Sequence, residues 1–447
     1  MHPNRYDRGL RIGFVTCVHP IYDLPAVAAL RQEAAGRLQA LGCEVLATET
    51  PRSAADAVPI AASLRAGEVD LAVLFFCTWV AEDITLALAS ELADVPMLLW
   101  ALPYLDRDIP MPSPISGLVA SASNIRRLGK PFVWMIGGVV PEMVERVVCA
   151  ARAGRVARLL RRARFGIVGD PCPGMLDVAV DEAELQKALG ATTVHFDLDA
   201  LVERARAVSP GDAAAAAQRL IGRREIAEEV LADNLRLYVA IEELVRQNKL
   251  DAYCVRCWPE LRDRHRITPC ATHALMAEDG VPSTCEVDLP ALITTYILSQ
   301  LAGAPAFNFD ITGYLEEEGA IQFAHCGAAA PSLADNPQEV SIRAHMRTGT
   351  GATVEFPFRP GTVTLAKLLR PADGRLRLFV ARGDAIRCGD GVRGSVATVK
   401  PHPSAAAFMD SMIREAVEHH VALVYGDWSS ELEQFCEFTG VEYVVIS

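Results

Sequence analysis

No apolar run in the chain reaches the ~20 residues a membrane helix needs. The polar opening Met1-His2-Pro3-Asn4-Arg5-Tyr6-Asp7-Arg8 lacks the apolar centre of a signal peptide. A cytoplasmic protein with no membrane partner is therefore expected. Positive charge is also in short supply: 43 Lys and Arg face 56 Asp and Glu, a formal net charge of −13, which argues against a nucleic-acid partner. The locally basic stretch from Arg152 to Arg164 spaces its arginines by three and four, and reads as a solvated helix face or a subunit contact. A disorder-promoting composition is missing too, since 51% of the residues are hydrophobic and 22% charged. In such a compartment the twelve cysteines read as free thiols rather than a disulfide framework.

At 447 residues the chain is long for one core, so two or three domains are expected. Strand and helix alternate at the start. Leu10 to Val18 reads as a strand, Asp23 to Leu41 as an amphipathic helix, Glu44 to Thr48 as a strand and Ala54 to Ala66 as a helix. Leu71 to Cys77 is an almost wholly apolar strand of the kind buried in a parallel sheet. A second such unit opens at Arg164 to Asp170, continues through Thr192 to Phe196 and one or two helices between Pro210 and Gln247, and reaches a strand at Ala252 to Cys257. From Ser341 to Lys400 short strands alternate with Gly-rich turns, as in an antiparallel sheet or small barrel. A helix from Ser404 to Glu418, a strand from Val421 to Tyr425, a helix from Ser429 to Thr439 and a strand from Tyr443 to Ile446 then close the chain. The expected fold is α/β: two doubly wound parallel-sheet domains (1–158 and 159–300), then a C-terminal domain (301–447) with an antiparallel, barrel-like part over 341–400.

Two motifs invite chemistry that their context denies. Cys254 and Cys257 have the spacing of a zinc or redox pair, but inside a strand residues three apart face opposite sides. Cys270 and Cys285 are unevenly spaced partners, so structural zinc is not expected. Gly389-Asp390-Gly391-Val392-Arg393-Gly394 matches the dinucleotide pattern by letter, yet leads into a strand. It therefore offers no helix N-terminus to a phosphate, and reads as a hairpin turn with no NAD.

The stretch from Cys285 to Cys326 carries the most chemistry. Cys285-Glu286-Val287-Asp288 follows a turn-rich segment and precedes an apolar helix, while Asn308-Phe309-Asp310 closes a short strand and Phe323-Ala324-His325-Cys326 follows. Acids at the ends of elements are where sites are built, and such a pair can chelate a divalent ion. Singly, each acid is equally well a helix cap or a turn residue. Arg256, Trp258 and Glu260, after the preceding strand, could bind hydroxyls or an anionic substituent. Strand-end loops at Cys17-Val18-His19 and Cys77-Thr78-Trp79 are further ligand-facing positions.

Cys-Glu-x-Asp followed by Asn-Phe-Asp, with the pair His419-His420 near the C-terminus, resembles the L-fucose isomerase and L-arabinose isomerase superfamily, the fucose isomerase-like branch above all. The resemblance implies aldose-ketose isomerisation of a sugar or sugar derivative through a cis-enediol. Glu286, Asp310 and His420 would hold Mn2+, with Co2+ or Mg2+ as substitutes, and the two carboxylates would move the proton between C2 and C1. His325 stands near the position of an additional histidine ligand in arabinose isomerases. The resemblance further implies a homo-oligomer, a hexamer or trimer, in which Trp79, and with it His19, reaches a neighbour's sugar site. Arg256 remains a candidate for substrate binding. The alternatives are a non-catalytic carbohydrate-binding or regulatory protein, or a metal-dependent aldolase or epimerase using the same enediolate chemistry.

Overall fold

The computed structural model describes all residues except 1–8, 23, 24, 107, 109–111, 177, 179, 371–373, 389–392 and 447. The proposed hairpin turn at Gly389 to Gly394 therefore lies mostly outside the described residues, as does Asp23, the expected start of the first helix. The chain divides into two compact units, one built from residues 9–161 with Ser430–Gly440, the other from Arg162–Ser429 with the last strand. The expected second and third domains thus fall within one unit. Among the described residues no helix is long and apolar enough to cross a membrane.

The N-terminal unit is a five-stranded, all-parallel sheet of β1 (Arg11–Cys17), β2 (Glu44–Ala47), β3 (Leu71–Phe76), β4 (Met97–Ala101) and β5 (Val133–Ile136), in the order β2-β1-β3-β4-β5. Helices Pro25–Ala40, Ala54–Ala66, Glu82–Glu91, Pro114–Arg127 and Pro141–Arg162 alternate with the strands. Every residue of β3, Leu-Ala-Val-Leu-Phe-Phe, is buried, as a run without polar alternation requires. The strand order reverses between β1 and β3, where open α/β sheets bind ligands. Cys17 to His19 and Cys77 to Trp79 follow those two strands.

In the other unit, β6 (Arg164–Val168), β7 (Thr192–Phe196), β9 (Ala252–Val255) and β10 (Ser283–Cys285) form a second parallel sheet in the order β10-β9-β6-β7. The stretch from Pro210 to Asn248 is two helices, Pro210–Arg219 and Glu228–Asn248, separated by the two-residue β8 (Arg223–Arg224). A large mixed sheet takes β8 together with β11 (Phe307–Leu315), β12 (Ala320–His325), β13 (Ser341–Arg343), β14 (Thr353–Pro357), β15 (Gly361–Leu369), β16 (Arg377–Ile386), β17 (Ser395–Pro401), β18 (His420–Tyr425) and β19 (Glu442–Val445). Its order is β19-β16-β15-β18-β11-β12-β17-β14-β13-β8, and β16 also pairs antiparallel with β17. Gly383 makes that last pairing possible, because a Cβ there would lie 2.7 Å from the Lys400 carbonyl oxygen. The β-rich region is thus wider than 341–400: the Asp310 and His420 strands belong to it.

Between the two sheets of this unit runs the helix Leu289–Ala302, buried on nearly every side and packed on β18, β15, β9, β10 and β11. A helix apolar all round is a core element. Asp288 caps its start, accepting from Ala291 N at 2.8 Å, and Gly303 ends it in the left-handed region at φ 60°.

Candidate active site

Three strands and one turn build the site. β11 lies between β18 and β12, and its register sets Asp310 directly opposite His420 on one side and Ala324 on the other, with His325 next along β12. Opposed residues on neighbouring antiparallel strands project from the same face, so register alone brings Asp310 and His420 together. His420 opens its strand rather than standing before it. Glu286 arrives from the turn after β10, where Glu286 and Val287 both adopt left-handed backbone, at φ 68° and 60°. Neither is glycine and Val287 is β-branched, so each costs on the order of 1–3 kcal/mol that the surrounding packing must offset. Gly394, at φ 91°, backs His325: a Cβ there would collide with the His325 carbonyl oxygen.

His420, 1% exposed, is the centre of the cluster. Its Nδ1 donates to Asp288 Oδ2 at 2.7 Å, while Nε2 lies 3.1 Å from Glu286 Oε2 and 3.2 Å from Asp310 Oδ1. Those two approaches lack hydrogen-bond geometry, so His420 Nε2 and Glu286 Oε2 are buried polar atoms without a partner, as is His325 Nδ1. A ligand atom from each of Glu286, His325 and His420 falls within 4.8 Å of the others, and the same holds for Asp310, His419 and His420. The His419 ring lies tilted against His420, centroids 4.3 Å apart, with its Nε2 3.9 Å from Asp310 Oδ1. Trp258 Nε1 donates to the other Glu286 oxygen at 3.3 Å.

Burial would raise both carboxyls, but His420 and His325 outweigh it: Glu286 is held below the usual carboxylate range and Asp310 is lowered to about 2. Burial would lower His420, and the carboxylates of Asp288, Asp310 and Glu286 overcome it, pushing the imidazole up to about 11. Both candidate bases are therefore ionised at neutral pH. An unpartnered buried polar atom costs about 1–3 kcal/mol. Glu286, His325 and His420, each offering one ligand atom within 4.8 Å of the others, and Asp310 beside them make up the donor set of a divalent-cation site: hard oxygens with imidazole nitrogen, which suits Mn2+ better than a thiolate-preferring metal. The residues present fit the ion.

The structure brings together Glu286, Asp310, His420 and His325 of the residues singled out by sequence. Arg256 forms ion pairs, with Nε 2.7 Å from Glu260 Oε2 and a terminal nitrogen 3.8 Å from Asp170 Oδ2. Trp79 and His19 lie in the N-terminal unit, their rings 5.5 Å apart, and Thr78 Oγ1 accepts from His19 N at 2.8 Å. Cys257 does not lie within the strand as expected: β9 ends at Val255, and Cys257 begins a short wide helix to Arg264. All twelve cysteines are free thiols. Sequence reasoning gave no role to Asp288, Lys367 or Glu418. Lys367 left a signal, a cation inside the apolar run Leu365-Ala366-Lys367-Leu368-Leu369. Its ammonium is wholly buried, 3.1 Å from Asp288 and 2.9 Å from Glu418.

Residues 323–447 match the family model for the L-fucose isomerase C-terminal domain. The chain is 27% identical over 388 residues to a sulfoquinovose isomerase of Priestia aryabhattai, covering 85% of this chain and 86% of the relative. It is likewise 27% identical over 376 residues to a sulfoquinovose isomerase of a Clostridium species, strain MSTE9, covering 81% and 84%. Against a periplasmic solute binding protein from Actinobacillus succinogenes 130z with bound D-allose, the TM-score is 0.20 at 12% identity, over 66% of this chain and 92% of that one. The resemblance to fucose isomerase-like proteins is borne out.

Proposed function

We propose that this relative of the fucose isomerase-like proteins is a divalent-cation-dependent aldose-ketose isomerase, with a sulfonated aldose such as sulfoquinovose as its first candidate substrate. The observation that carries the reading is the close approach of Glu286 Oε2 and His420 Nε2, with a ring nitrogen of His325 within 4.8 Å of a ligand atom of each residue and Asp310 beside them. Glu286, Asp310 and His420 would hold the ion, with His325 as a further ligand. Bound there, a cation such as Mn2+ would supply Lewis acidity toward a sugar carbonyl and its neighbouring hydroxyl.

The chain's own groups carry the proton. Glu286 and Asp310 lie 3.1 and 3.2 Å from His420 Nε2 and are held ionised, so one can take the C2 proton of an aldose while the other delivers a proton to C1. Trp258 fixes the Glu286 carboxylate through Oε1 and leaves Oε2 directed at the cluster. The narrower reading of the large sheet also belongs to this proposal: the pairings β16-β15-β18-β11-β12-β17 and back to β16 are taken as the barrel-like part, with Asp310 and His420 on two of its strands. A homo-oligomer in which His19 and Trp79 serve a neighbouring chain's sugar completes it.

The test is a product screen of aldoses and ketoses, sulfoquinovose included, with protein stripped by chelator and then given Mn2+. Interconversion of an aldose with its ketose, lost on stripping and regained with Mn2+, is expected. Carbon–carbon cleavage or epimer formation would replace isomerisation by aldolase or epimerase chemistry, and binding without turnover would make this a carbohydrate-binding protein.

A further inference from the structure

The tripeptide Glu286-Val287-Asp288 grips both nitrogens of one imidazole. Glu286 Oε2 faces His420 Nε2 at 3.1 Å, and Asp288 Oδ2 accepts from Nδ1 at 2.7 Å. Two acids so close in sequence reach opposite edges of the ring because Glu286 and Val287 are both left-handed. Asp288 is 1% exposed and has little freedom: Oδ1 caps the helix Leu289–Ala302 through Ala291 N, and Oδ2 is also 3.1 Å from the Lys367 ammonium. Lys367, from β15, is itself anchored by Glu418 at 2.9 Å.

A carboxylate only accepts, so a partner at Nδ1 fixes the proton on that nitrogen and leaves Nε2 to ligate. Lys367 has a second effect. A buried lone carboxylate beside a cation site would compete as a ligand or take up a proton, whereas one shared between an ammonium and an imidazole N–H has its acceptor capacity filled. We propose that Asp288, anchored by Lys367 and the helix cap, is a positioning residue that presents His420 Nε2 to the divalent cation. The inference rests on the cation reading of the preceding section.

The test titrates chelator-stripped full-length protein with Mn2+, following free ion by electron paramagnetic resonance. Asp288→Ser keeps an acceptor for Ala291 N and leaves Lys367 paired with Glu418, so the variant should unfold cooperatively. Its apparent Mn2+ dissociation constant should rise about 10- to 100-fold, the usual effect of losing a partner behind a metal-binding histidine. Binding as tight as that of the unaltered chain overturns the positioning role while the cation reading stands. If the unaltered chain takes up no Mn2+ at all, both fall. Should Asp288→Ser not fold, the unaltered chain decides: with 15N-labelled histidine and diamagnetic Cd2+ bound, a proton on His420 Nδ1 supports the role and a proton on Nε2 overturns it.

Discussion

Two strand ends in this molecule treat their buried polar groups in opposite ways. After β3, at the carboxyl end of the central strand of the N-terminal sheet, the fully buried Thr78 spends its hydroxyl twice, accepting from His19 N at 2.8 Å and donating to the Trp79 carbonyl at 2.7 Å. After β10, and along β11, β12 and β18, buried atoms of Glu286, His325 and His420 have no hydrogen-bond partner, although Glu286 Oε2 and His420 Nε2 lie 3.1 Å apart as an ion pair, on a backbone strained at two successive residues. The first end is satisfied by its own chain and carries the neighbouring rings of His19 and Trp79, 5.5 Å apart. The second is where the proposal places a ligand supplied from outside. Unmet hydrogen-bonding capacity, more than charge or burial, separates the two.

The largest effects should come from the unsatisfied end. Glu286→Gln and Asp310→Asn should each lower turnover by at least ~10²-fold while circular dichroism and thermal unfolding keep their cooperative form, because general acid-base groups contribute at that level. Full activity in either would remove that carboxylate from proton transfer. His420→Ala should cost on the order of 3 kcal/mol in denaturant unfolding of the stripped protein, since it leaves buried carboxylates without their shared partner, and should abolish tight Mn2+ uptake. If uptake persists, His325 and His419 hold the ion without it.

The same cluster predicts a pH response of the chelator-stripped protein, read as melting temperature. His420 is raised to about 11, so its stabilisation is complete below the unfolded value near 6.5 and is lost as pH rises toward 11. Asp310 is lowered to about 2, so its share is present above about 3.9 and fades as pH falls toward 2. Melting temperature should therefore decline on both sides of a plateau, and Mn2+ should flatten the alkaline side by displacing the His420 proton. An alkaline limb indifferent to Mn2+ would separate His420 from the cation.

The satisfied end should respond more weakly. Trp79→Ala should lower turnover, and co-refolding it with Glu286→Gln should restore a fraction of activity if the two residues serve each other across an oligomer. Mixed oligomers without recovery would confine Trp79 to packing or to its own chain. Thr78→Val should cost about 1–3 kcal/mol of stability for the orphaned His19 N–H and leave Mn2+ affinity unchanged. A loss of affinity would break the distinction between the two ends.

The parallel N-terminal sheet was legible because a wholly apolar run such as Leu71 to Phe76 has few other uses, and because strand and helix signals alternate cleanly up to Arg162. Glu286, Asp310 and His420 stood out through spacing and resemblance, and their meeting follows from a register that pairs Asp310 with His420. The support behind them was not legible. Asp288 was given no role from the sequence, though it caps the helix Leu289–Ala302, and nothing local says that Lys367, 79 positions later, will bury its ammonium against it. Cys257 was misplaced because the strand ends two residues sooner than expected, at Val255, where the apolar run gives way to Arg256 and the chain turns into a short helix. Long-range pairings of buried charge have no local period to betray them.

The most direct test of the cation-dependent isomerase is to follow sulfoquinovose and its ketose by 13C spectroscopy with four samples: the protein with Mn2+, the same after chelation, Glu286→Gln with Mn2+, and buffer with Mn2+ alone. Aldose and ketose should reach equilibrium in the first sample only. Equal conversion in the chelated or Glu286→Gln sample would contradict the role assigned to this cluster.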